Sequence, residues 1–215
     1  MPSPPRSRAP AADAWTRAEL AVLRRLSTPE RIQDFVDALA YRAEDEPAAP
    51  RRVLRERRAH CFDGALFAAA ALRRLGHPPL LLDLRAVRDD DHVLAPFRVR
   101  GHWGAVAKSN FAGLRWREPI HRTPRELALS YFHDYYNLEG ERTLREHSGP
   151  FDLSRFDALA WTFRDDSLRD IAGRLDDARH HRILPRAMER ALRPVDRRSL
   201  RAGLVGADRK ALHGA

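Results

Sequence analysis

The chain's one cysteine, Cys61, opens the run CFDGALFAAAALRRL, which is apolar on nearly every side until Arg73. That is the pattern of a helix buried inside a core rather than lying on its surface. A thiol at a helix N-terminus is favoured as thiolate, because the unpaired backbone N–H groups and the positive dipole end stabilise negative charge. A nucleophilic sulfur also needs a base within hydrogen-bond reach and a third group to orient that base. Two strand-like runs downstream supply such a set in order. His92 opens HVLAPFRV, and HWGAVAKS from His102 ends at Ser109, followed by Asn110. The Asn110 carboxamide oxygen can accept an imidazole N–H, and strand alternation lets only one of Ser109 and Asn110 point at His92. Ser109 is the reserve orienter. His60 adjoins the thiol and is expected beside the site rather than as its base, while a shifted hairpin register would make His102 and Glu118 the alternative pair. The plainer expectation for an isolated cysteine is a small buried hydrophobe.

Other polar clusters point to simpler roles. Arg115, Arg117 and Glu118 are candidates for gripping an anionic substrate group, with a structural ion-pair network as the alternative. Trp103 is a candidate substrate contact, though aromatic residues here, including Trp116, Tyr131 and Phe132, are more readily explained as core. Asp89, Asp90 and Asp91 read as a solvated turn, since three successive carboxylates do not all face one cation. His180 and His181 lack partners at metal-site spacing and read as a surface feature at a helix end. No metal and no cofactor is expected.

The elements that must position these residues can be outlined. A helix is expected from about Ala14 to Leu26, and Thr28, Pro29 and Glu30 start a second that runs to about Tyr41. The segment from Glu44 to Arg52 reads as a loop. Gly76 and Pro78 stop the cysteine helix, and Leu80 to Leu84 suits a buried strand. The two runs from His92 and His102 form a hairpin around Arg100 and Gly101, with Pro96 marking an edge or a bulge. Residues 110–122 read as a loop, after which Thr123, Pro124 and Glu126 cap a helix carrying Leu127, Tyr131 and Tyr135. The last third reads as helical, with Leu168, Ile171 and Leu175 forming one stripe. The expected division is a disordered tail over residues 1–12, one domain over 13–195, and a tail or short helix over 196–215. The fold class is α+β, with residues 80–84, 92–99 and 102–109 in a small, mostly antiparallel sheet against the cysteine helix.

A chain of 215 residues can bury a core without staples. One cysteine excludes an internal disulfide and any Cys-x-x-Cys zinc site, so a reducing, cytoplasmic setting is expected. The N-terminus lacks the apolar stretch of a signal peptide, and no run approaches membrane-spanning length. A membrane partner is therefore not expected. The formal charge of +9 and pI near 10.7 admit nucleic acid or another anion as partner. The charge is carried almost wholly by arginine, Lys108 and Lys210 being the two lysines. That suggests biased codon usage across the chain rather than one basic patch, and no basic-aromatic nucleic-acid module is recognisable.

The stretch RRAHCFDGALFAAAALRRLG, with DDDHVLAPFRVRGHWGAVAKSN and LRWREPIHRTPRELALSYFHDYYN, resembles an uncharacterised group of bacterial proteins. That group is placed in the transglutaminase-like branch of the papain-like cysteine enzymes. The resemblance covers roughly Thr28 to Asn137. It implies Cys61 as nucleophile, His92 as base and a third residue fixing the imidazole. Many transglutaminase-like sequences have aspartate at that third place, whereas this one has Lys108, Ser109 and Asn110. The activity implied is acyl transfer from a peptide or other amide or ester substrate to Cys61, then attack by water or an amine, with hydrolysis the default. The alternatives are a catalytically silent binding domain of the same fold and an arginine-rich nucleic-acid or anion binder.

Overall fold

The computed structural model describes residues 14–43 and 46–208; the expected N-terminal tail lies outside them. Helix α1 (Arg17–Arg25) begins in a reciprocal capping box, Thr16 with Glu19, and α2 (Pro29–Asp37) begins at Thr28 with Pro29 in its first turn. The second helix stops short of the expected Tyr41. There the chain makes a two-residue strand, β1 (Ala40–Tyr41), parallel to β2 (Arg58–Ala59). Between them α3 (Pro50–Glu56) occupies part of the expected loop, started by Pro50 and ended at Arg57 with φ of +58°. The cysteine helix, α4 (Cys61–Arg74), is buried continuously from Phe62 to Leu72. Gly76, at φ +91°, follows its end.

The sheet is larger than expected. Strands β3 (Leu80–Ala86), β4 (His92–Val99), β5 (His102–Val106) and β6 (Arg117–His121) are followed by α5 (Pro124–Ser130), which starts at the expected Thr123 cap. Then come β7 (Leu144–Ser148), β8 (Phe151–Asp152), α6 (Leu168–Asp176), β9 (His180–Arg182), α7 (Arg186–Glu189) and α8 (Arg197–Gly203). The order across the sheet is β6-β5-β4-β3-β7-β9, with β8 beside β3, and every pairing is antiparallel. The last third is thus not simply helical. Its strands escape a sequence reading because β7 buries Arg145, His147 and Ser148, polar side chains that hide the usual apolar alternation.

Alternation along β4 divides the core in two. Val93, Ala95 and Phe97 pack with α4 and with helices α2, α3 and α6, while Leu94 packs with Leu82, Leu84, Leu127, Tyr131 and Tyr135 on the α5 side. Pro96 lies in neither an edge strand nor a bulge. It pairs with Ala105 of β5, and its missing donor falls past the last β3 rung, Leu82 with Leu94. Among the described residues no helix is long and apolar enough to cross a membrane.

Candidate functional site

His60 is the N-cap of α4. Its Nδ1 accepts the Phe62 N–H at 3.1 Å, and its Nε2 lies 3.6 Å from Asp63 Oδ1. Asp63, fully buried, anchors the helix start by accepting from Ala48 N at 2.7 Å and from the Arg42 guanidinium at 3.1 Å. The first turn of α4 enters the sheet where β4 and β5 splay apart. The last β4–β5 rung is Ala95 with Val106, so nearer the start of β4 its outward N–H and C=O groups face no strand. Cys61 takes that lateral place. Its Sγ lies 3.8 Å from Asp91 O and receives the Val93 N–H, so the thiol touches the backbone on both sides of His92. Gly64 makes the insertion possible, because a Cβ there would overlap Lys108 Cβ.

The His92 side chain is 4% exposed and lies on the α5 side of β4. Its Nε2–H donates to Leu114 O at 2.8 Å, and its ring meets Tyr131 and Tyr135 edge-on at 6.3 and 6.4 Å. That bond makes Nδ1 the lone-pair nitrogen of the neutral ring. The structure therefore brings thiol and histidine to one strand end but, against expectation, does not join them by a hydrogen bond. Sγ is engaged by main-chain groups in the plane of the sheet, while the ring is held on one face by Leu114.

Electrostatics also departs from expectation. Burial pushes the Cys61 thiol up to about 12, outweighing the Val93 and Phe62 N–H groups that favour thiolate. A helix N-terminus contributes about 1 kcal/mol, whereas a rise from 9 to about 12 corresponds to roughly 4 kcal/mol. Desolvation wins, and the thiol is neutral at pH 7. Burial likewise lowers His92 to about 4, against the opposing bond to Leu114. Burial also raises the Tyr41 phenol, with the nearby Cys61, Asp90 and Asp63 charges adding to the effect.

The remaining candidates are committed elsewhere. Asn110 does not orient His92; its amide donates to Asp208 O at 2.8 Å and its oxygen accepts from Asp208 N at 2.7 Å. Ser109 Oγ accepts from Phe111 N. His102 is exposed and its Nδ1–H points to Arg100 O, while Glu118 accepts from the Trp116 indole, so the alternative pair is not formed. Arg115 pairs with Asp37. Arg117 bonds Ser130, Asp134 and Gly113 O and lies over the Tyr131 ring, and Trp103 carries Arg98 on its face. These contacts match the structural ion-pair alternative expected for the arginines. In the acidic turn, Asp91 accepts from Ala86 N and Asp89 from the Thr143 hydroxyl. Among the described residues no three His, Cys, Asp or Glu side chains are placed to hold a metal. The imidazole orienter missed from sequence is Leu114, and a main-chain carbonyl leaves no signal in residue type. No protein-family model matches the chain, and no curated protein is significantly similar to it.

Proposed function

We propose that this chain is a transglutaminase-like cysteine hydrolase whose thiol centre rests in its neutral form. One observation carries the reading: the Leu114 carbonyl fixes His92 as the Nε2–H tautomer, leaving Nδ1 as the basic nitrogen on the residue flanked by both backbone contacts of Cys61 Sγ. In the reaction Sγ leaves Asp91 O and gives its proton to Nδ1. The sulfur attacks the acyl carbon, and the amine or alcohol departs with that proton. Water, deprotonated by Nδ1, then cleaves the thioester and frees the acid. Leu114 does the orienting work that the resemblance assigns to a side chain.

The raised thiol of the partly buried Cys61 and the buried ring of His92 favour a second reading, a catalytically silent binding domain of the same fold. Acylation by 4-nitrophenyl acetate, followed by intact mass and peptide mapping, separates the two. The hydrolase reading expects a single acyl group on Cys61, absent in Cys61→Ser and formed about 100-fold more slowly in His92→Gln. No acylation of the native protein, with ready modification after denaturation, would establish the silent domain instead.

A further inference from the structure

The register of β7 and β9 sets His147 opposite His181, with ring centroids 5.7 Å apart. With Thr123, Arg125, Arg179 and Arg182, these histidines line a groove of about 620 Å³ in which no lining residue is acidic. Arg182 is already paired with Glu146 and Glu189. Arg125 donates to Ile183 O, and Arg179 has no ion-pair partner among the described residues. His147 is the singular member of the set. It is 5% exposed, its Nδ1–H donates to Ser148 O at 2.8 Å, and its buried Nε2 has no hydrogen-bond partner. Buried polar atoms are rarely left in that state, and one in a groove whose Arg125 and Arg179 lack a carboxylate partner among the described residues marks a place for a ligand.

We propose that this groove binds an organic phosphomonoester, its phosphoryl oxygens held by Arg125 and Arg179 and a phosphate O–H donated to His147 Nε2. With its Nδ1–H spent on Ser148, the neutral ring offers Nε2 only as an acceptor, and burial disfavours the protonated form. A carboxylate near neutral pH brings charge but no O–H. A phosphomonoester loses its second proton only near pH 6, so its monoanion brings both, with further oxygens for two arginine forks. The groove lies within the usual range for small-molecule sites, leaving room for the organic part.

Titration calorimetry near pH 6 with phenyl phosphate and phenyl sulfate tests this, because the two esters are similar in shape while the sulfate has no O–H. Phenyl phosphate should bind saturably and at least tenfold more tightly than phenyl sulfate. Arg179→Ala, at an exposed position, should weaken both esters about tenfold and keep their ratio. His147→Phe, checked for folding by circular dichroism, should bring the ratio close to one. Cys61→Ser should bind as wild type does, which separates this site from the thiol centre. Equal affinity for the two esters, phosphate binding undiminished in Arg179→Ala, or no saturable binding would each overturn the proposal.

Discussion

The thiol and the imidazole at the start of β4 are both held neutral by burial, and for His92 this has a consequence for stability. The unfolded ring takes a proton near pH 6.5 and the folded one near 4, so between these values the unfolded state holds the extra proton. Acid therefore weakens the fold across that window by roughly 3 kcal/mol through this one side chain. Asp83 works in the opposite sense. Burial raises its carboxyl to about 6, so its protonation favours the folded state as the pH falls. The His92 contribution is isolated by comparing urea unfolding of wild type and His92→Gln. On going from about pH 7.5 to about pH 4, wild type should lose roughly 3 kcal/mol more than the variant. Equal losses would mean that the ring takes up its proton without unfolding. The placing of Cys61 at a helix start and His92 at a strand start was legible from residue type and order; the expected bond between them is not formed. Their ionisation was not legible, because desolvation depends on neighbours that arrive from β4, α5 and the segment around Leu114.

At the scale of elements, the close approach of α4 to the end of β5 depends on one hydrogen atom. Alanine at position 64 would improve helix propensity by about 1 kcal/mol. Its Cβ, however, would meet Lys108 Cβ, a group fixed by its own backbone and by the Lys108 ammonium bonding Leu39 O. Overpacking of this kind costs about 1 to 3 kcal/mol, so Gly64→Ala should lower the urea midpoint despite the better helix former. A raised midpoint would show that the strand end yields easily. Helix starts were the most legible elements: Thr28 and Thr123 cap α2 and α5 where hydroxyl, proline and acid spacing placed them. The short strands were the least legible. β6 was hidden in a loop-like run, and β9, only His180–Arg182, puts its histidines on a strand rather than at a helix end. Their partners in the ladder, not their own composition, make them strands.

Across the whole molecule, the C-terminal segment is drawn onto the body by distant contacts. The Tyr136 hydroxyl donates to Ser199 O in α8 at 2.9 Å, Gly203 packs against the same phenol, and Asn110 exchanges two hydrogen bonds with Asp208. Asn110 is thus a clamp on Asp208 instead of a partner for His92. Asn110→Ala should speed amide hydrogen exchange over residues 197–208 while leaving the acylation rate of Cys61 unchanged. A fall in that rate with unchanged exchange would return Asn110 to the thiol centre. The positive charge has a similar whole-molecule character. Arginine is spread along the chain, and several guanidinium groups are tied to carboxylates, among them Arg73 with Asp157 and Arg52 with Glu56 and Asp165. Net charge alone therefore says little about where an anion binds.

Residue order alone specifies the apolar helix headed by Cys61, the hairpin begun by His92, the capped helix starts and the mixed α+β class. Each rests on local physics, namely periodicity, capping and turn chemistry acting within about fifteen residues. Tertiary structure alone decided that Cys61 would occupy the place β5 vacates beside β4, that Leu114 would hold the His92 ring and Asn110 the C-terminal segment, and that His147 would meet His181 across two short strands. The physical reason is common to all four. Burial and hydrogen bonding in folded proteins are settled by which backbones and side chains meet across the sheet, and main-chain carbonyls and N–H groups are the same whatever residue carries them.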